Sequence, residues 1–137
     1  MTQYWLMKSE PDEYSWDDVV RGGEGVWDGV RNAQASNNLK AMQVGDKALF
    51  YHSRSGLEAV GVMQISAAAF PDPKDETGRW VAVKVTPIKP LPKPVSLKAM
   101  KANPALADMA MLRQSRLSVA AIENDEWHEI MRMGGNG

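Results

Sequence analysis

Short apolar runs alternate with polar breaks marked by glycine or proline, a rhythm that predicts strands and short helices in turn. Tyr4-Trp5-Leu6-Met7-Lys8 reads as a first strand, closed at Ser9-Glu10-Pro11 because proline donates nothing to a ladder. Ser15 reads as a helix N-cap, with Asp17 and Asp18 in the dipole-favoured first turn and Val19-Val20 apolar. Arg21-Gly22-Gly23-Glu24-Gly25 ends that helix. No Gly-Lys-Ser/Thr follows, so the glycines make a loop and not a phosphate cradle. Asn32 reads as the cap of a helix from Ala33 to about Val44, with Ala35, Leu39 and Met42 on one face and Gly45 as its stop. Asn37 and Asn38 inside it are poor helix formers, costing up to about 0.7 kcal/mol each, which hints at a second use.

Asp46 to Ser53 is apolar on both faces and predicts a central strand. A turn at Arg54-Ser55-Gly56 leads to a second strand from Ala59 to about Ala67, where Gly61 marks a bulge or a close backbone approach. The acidic loop at 71–78 lacks the ligand spacing of an EF-hand. Trp80 to Thr86 alternates, with Val81, Val83 and Val85 opposite Trp80, Lys84 and Thr86. Pro87, Pro90, Pro92 and Pro94 then predict a stiff extended connection across the surface. Ser96 caps a short helix through Lys101, a second helix runs from Pro104 to Met109, and Arg116 to Val119 is a brief strand. Asn124 caps a last helix that buries Trp127, Ile130 and Met131 and stops at Gly134-Gly135. This order predicts an α+β fold, a mostly antiparallel sheet with short helices between the strands.

Composition narrows the function. The 137 residues suit one domain spanning 1–137. The absence of cysteine excludes disulfides, thiol catalysis and cysteine-held zinc, and two histidines, His52 and His128, are too few for a histidine-built metal centre. No metal or cofactor is therefore expected. Sixteen basic residues against 17 acidic argue against a protein that grips long stretches of phosphate backbone. With no apolar run of spanning length and no basic leader before one, the expectation is a soluble, cytoplasmic protein without a membrane partner.

Catalytic patterns are weak. His52 and Ser53 are neighbours in a strand, so they face opposite ways and form no dyad. There is no Gly-x-Ser-x-Gly elbow and no His-Glu-x-x-His pair. The nine methionines read as core filler. A binding pocket fits better. Trp27, in a glycine-bounded loop beside Arg31 and Asn32, offers an indole to stack on a base, a guanidinium for a phosphate, and an amide for a base edge. The competing reading is a helix cap next to a core tryptophan.

The runs Trp5-Leu6-Met7-Lys8-Ser9-Glu10-Pro11, Trp27-Asp28-Gly29-Val30-Arg31-Asn32, Asn37-Asn38-Leu39 and Phe50-Tyr51-His52-Ser53 resemble the EVE domain family. So do Gly61-Val62, Phe70-Pro71-Asp72-Pro73, Pro94-Val95-Ser96-Leu97 and Arg116-Leu117-Ser118-Val119, in order from residue 4 to about 134. The resemblance implies a PUA-like fold, a curved sheet or pseudo-barrel of five to six strands with helices packed around it, related to YTH domains. It implies a non-catalytic reader of a modified base in DNA or RNA, or of a modified nucleotide. By the same resemblance Trp27 is a cage tryptophan, and Ser9, Asn32, Arg31 and Ser53 lie near it. Arg116 and Ser118 complete the pocket, with Tyr51 and Trp80 as candidates for its opposite wall. The rival is an amidohydrolase of the ASCH type acting on modified nucleosides through Lys8, Ser9 and Glu10, although strand alternation sets Ser9 opposite the other two. A third reading docks a protein partner on the proline-rich 87–94 stretch.

Overall fold

The computed structural model describes residues 2–135. β1 (Tyr4–Ser9) leads to Ser15, whose hydroxyl accepts from Asp18 N while the Asp18 carboxylate accepts from Ser15 N, a reciprocal box that starts α1 (Trp16–Gly22). Gly23 ends α1 in the left-handed region at φ +73°, and the chain enters β2 (Gly25–Trp27), a short strand within the segment expected to be loop. Asn32 caps α2 (Ala33–Ala41) by accepting from Ala35 N.

That helix stops three residues before Val44 because Asp46 captures the backbone at Gln43. The buried Asp46 carboxylate accepts from Gln43 N, Gln3 N and Trp5 Nε1, pulling the chain into a turn ahead of β3 (Lys47–His52). Asn38 shows its second use here: its amide donates to Val119 O at 2.7 Å and ties α2 to the sheet.

β4 (Glu58–Pro71) and β5 (Val81–Ser96) form the longest pair. The stretch from Pro87 to Pro94, expected to be a surface connection, is instead the second half of β5. The physical reason is that β2 flanks β5 only at Val83–Val85, so beyond Val85 no strand among the described residues lies on its outer side and the missing proline N–H groups cost no ladder bond there. α3 (Leu97–Ala102) follows with Ser96 as its cap. The expected helix from Pro104 to Met109 is only a 3-10 turn at Pro104–Leu106, followed by a separate α4 (Ala110–Arg113). β6 (Val119–Ile122) begins where the expected strand ended. Glu123, not Asn124, is the cap of α5 (Asn124–Met133), and the Glu126 carboxylate reaches back to Glu123 N.

The strands make one open, mixed sheet in the order β2-β5-β4-β3-β1-β6, parallel only at β1–β3. Its core includes Leu6, Met7, Leu49, Phe50, Met63 and Ile65, with Met100, Met109 and Met111 also fully buried as filler. Trp127 stacks on Tyr4 at 4.4 Å, and the Trp16 indole lies so close over Gly61 that a Cβ there would stand 2.5 Å from the ring. Gly61 is thus a close-approach glycine. A register shift in β4 falls beside it.

Candidate functional site

A cavity of about 960 Å³ opens where the parallel neighbours β1 and β3 both end. Ser9 and Glu10 leave one strand, Ser53 and Arg54 the other, and Tyr14 approaches from the turn before α1. The far side is the run Val26 to Arg31 that leads out of β2, with Ser115, Arg116 and Ser118 arriving ahead of β6.

Trp27 is a core residue that also reaches the cavity wall. It is only 6% exposed, packed edge-to-face on Phe50 at 5.3 Å and on Tyr14 at 6.1 Å, and it still contributes to the cavity wall. Such packing fixes the indole before any ligand arrives. Gly25 makes room for this cluster, since any Cβ at that position would overlap the Tyr14 phenol. Burial, then the charges of Asp18 and Asp28, push the Tyr14 hydroxyl above its ordinary pKa, so it remains a neutral phenol at physiological pH.

The loop after Trp27 is held by Asp72, which is not itself part of the cavity lining. This buried carboxylate accepts from Gly29 N at 2.8 Å, Arg31 Nη1 at 2.9 Å and Lys74 N at 2.7 Å. Burial alone would raise its pKa, but the Arg31 and backbone donors outweigh that and hold it below the usual carboxylate range. Gly29 takes φ +77° at the bend, a conformation that favours glycine.

The cations around the cavity are mostly occupied. Lys8 Nζ donates to Ser115 O at 2.9 Å, and burial lowers its pKa. Arg31 is held by Asp72, Arg54 by Glu10 at 3.3 Å, and Lys74 by Asp28 at 3.3 Å. Arg116 alone of these five has no carboxylate or carbonyl partner among the described residues.

Of the residues expected at the pocket, Ser9, Trp27, Arg31, Ser53, Arg116 and Ser118 line this one cavity. Asn32 and Tyr51 do not. The Asn32 side chain is spent on capping α2, and the residue lines an adjoining cavity; Tyr51 is buried in β3, with Lys8 Nζ 5.9 Å from its ring centre. Trp80 is absent from the wall as well, its ring covered by Arg79 at 4.5 Å and approached by Arg31 at 6.0 Å. Lys8, Ser9 and Glu10 all reach the cavity, because Ser9 is the last residue of β1 and alternation lapses there. Each has its own partner: the Ser9 hydroxyl donates to Tyr14 O at 2.6 Å, Glu10 pairs with Arg54, and Lys8 binds Ser115 O. Asp72 and Tyr14 were not foreseen as parts of the site. An aspartate set between two prolines after an apolar run was the available signal for the first.

The EVE domain family model matches residues 3–133. The chain belongs to the EVE domain family. This EVE domain is 47% identical to Rpa0253 from Rhodopseudomonas palustris, with a TM-score of 0.92 over 98% of this chain and 94% of that one. It is 28% identical to human THYN1, solved in complex with 5-methylcytosine containing DNA, with a TM-score of 0.90 over 97% and 98% of the two chains. The YTH domain of the Zygosaccharomyces rouxii MRB1 protein, solved in complex with N6-methyladenosine RNA, shares the fold at a TM-score of 0.63 and 20% identity, over 97% and 86%. Among the described residues of this EVE domain there is no cluster of three or more metal-ligating side chains, and no helix is long and apolar enough to cross a membrane.

Proposed function

We propose that residues 1–137 form a single non-catalytic domain that takes one modified base of DNA or RNA into the cavity beside Trp27. The observation that carries this reading is the fixed indole at the wall of a cavity of about 960 Å³, in a chain whose fold matches that of human THYN1 with its 5-methylcytosine DNA. That volume lies in the range of small-ligand sites, roughly 300–1,000 Å³. Ser9, Tyr14, Ser53 and Ser118 supply short polar groups around it.

Extruding a base costs a few kcal/mol, and stacking on an aromatic returns about 1–3 kcal/mol. The two nearly cancel, so discrimination rests on whether the cavity accommodates the added group. A rigid wall suits that task. Trp27 cannot swing aside without breaking its contacts with Phe50 and Tyr14, and Asp72 prevents the adjoining loop from relaxing.

The amidohydrolase reading is weaker on the same geometry. A lysine nucleophile or base needs a free amine and a nearby free acid, whereas Lys8 and Glu10 are each tied to another group. Incubation with an acylated cytidine is expected to release no free base amine; release by wild type and not by Lys8→Ala would reverse the assignment.

The test of the reader is fluorescence anisotropy with short labelled DNA and RNA oligonucleotides carrying 5-methylcytosine, 5-hydroxymethylcytosine, N6-methyladenine or no modification. One modified base is expected to stand above the unmodified control. Equal binding across the panel would overturn the proposal.

A further inference from the structure

A second, smaller cavity of about 340 Å³ lies beside the first, and the two share Ser115 and Arg116 in their linings. Its other walls are Asn32 and Gln34 at the start of α2 and the segment Arg113 to Leu117. No carboxylate is among its lining residues, and no acidic residue stands in the first turn of the nine-residue α2. The larger cavity differs, since Glu10, Glu13 and Asp28 all line it.

Arg116 lines both of these spaces, and its guanidinium has no carboxylate or carbonyl partner among the described residues. Arg113, which lines the second cavity, is paired among the described residues with Asp108 at an exposed surface bridge, of the kind worth about 0–1 kcal/mol and easily exchanged. A group suited to this place is anionic, offers several oxygens, and is attached to whatever occupies the larger cavity. A phosphodiester has all three properties.

From this juxtaposition we infer that the second cavity seats the backbone phosphate next to the extruded base, held by Arg116 with Arg113 behind it, so that the ligand is a continuous strand and not a free nucleoside. The inference rests on the proposed base-reading site and extends it: the base enters by the Trp27 wall, and the chain leaves over Arg116 toward the start of α2. The helix dipole and an arginine fork then act on the same anion.

The experiment compares a trinucleotide with 5-methylcytosine at its centre against the free 5-methyldeoxycytidine nucleoside, for wild type, Arg116→Gln and Arg116→Lys, at about 50 and about 200 mM salt. A single-strand phosphate contact contributes a slope of about −0.7 in log K against log salt, or about 2.6-fold over that fourfold range. Wild type is expected to favour the trinucleotide. Arg116→Gln is expected to shrink the trinucleotide-to-nucleoside affinity ratio severalfold and to flatten the salt slope by about 0.7. Arg116→Lys should restore the slope and only part of the affinity. A ratio and slope untouched by Arg116→Gln would overturn the inference while leaving the base reader standing. Equal weakening of both ligands would also overturn it, placing Arg116 against the base. Failure of wild type to bind either ligand, with no preference for any modified base in the oligonucleotide panel, would remove the base-reading site and this inference with it.

Discussion

Arg31 donates to the Asp72 carboxylate at 2.9 Å across 41 residues of sequence, and the same oxygen accepts from Gly29 N at 2.8 Å. One buried side chain therefore sets both the bend after Trp27 and the direction of the nearby arginine. The Asp72 side chain is fully covered while Arg31 keeps 39% of its exposure, so loss of the carboxylate strands backbone donors more than it strands the guanidinium.

Asp72→Ala should cost about 1–3 kcal/mol in urea unfolding, the range for leaving buried donors without an acceptor. It should also weaken oligonucleotide binding, because the loop bearing Trp27 and Arg31 relaxes. The Asp72 carboxyl titrates below its ordinary 3.8 in the folded protein, so its stabilisation is complete above that value and is lost as pH falls through the folded pKa. Acid unfolding of Asp72→Ala should lack that component.

Gly61→Ala places a methyl group 2.5–2.6 Å from the Trp16 ring, well inside contact distance. The expected cost is about 1–3 kcal/mol, as for overpacking elsewhere in close-packed interiors. Thermal and urea unfolding should agree on the loss. A substitution that is neutral would mean that Trp16 has somewhere else to go.

His52 gives the protein a pH dependence near neutrality. Its Nε2 accepts from Trp16 N at 3.1 Å, and burial holds its pKa below the usual 6.5 against the opposing charges of Glu58 and Asp17. Protonation removes the acceptor. The unfolded chain thus binds the proton more readily, and stability should fall as pH drops below about 6.5 toward the folded pKa. His52→Gln keeps an acceptor and cannot titrate. The difference between urea midpoints at about pH 7.5 and about pH 5.5 should therefore be smaller in His52→Gln than in wild type.

The elements most legible in the sequence were those whose ends carry their own chemistry. Ser15 with Asp18, Asn32, and Ser96 each mark a helix start by a side chain that bonds its own backbone. Misreadings came where a distant residue decided the outcome. The end of α2 is set by Asp46, which also binds Trp5 across the fold, and the prolines of β5 are tolerated because β2 begins only at Gly25, opposite Val85. Neither fact is visible in a local window. The site followed the same division: Trp27 and Arg31 stood out as residue types suited to a base or phosphate and Arg116 through the family resemblance, whereas Asp72 matters only through loops brought together by folding.

Trp27 joins core packing and the cavity wall, so the central claim is best tested by a substitution that spares the first and alters the second. Affinities of wild type and Trp27→Phe for the best modified oligonucleotide and its unmodified twin should be measured beside the urea midpoint of each protein. Wild type is expected to prefer the modified strand by about tenfold or more, equivalent to about 1.4 kcal/mol, and Trp27→Phe to lose most of that preference while still unfolding cooperatively. An undiminished preference in folded Trp27→Phe, or no preference in wild type, would contradict the assignment of this cavity to a modified base.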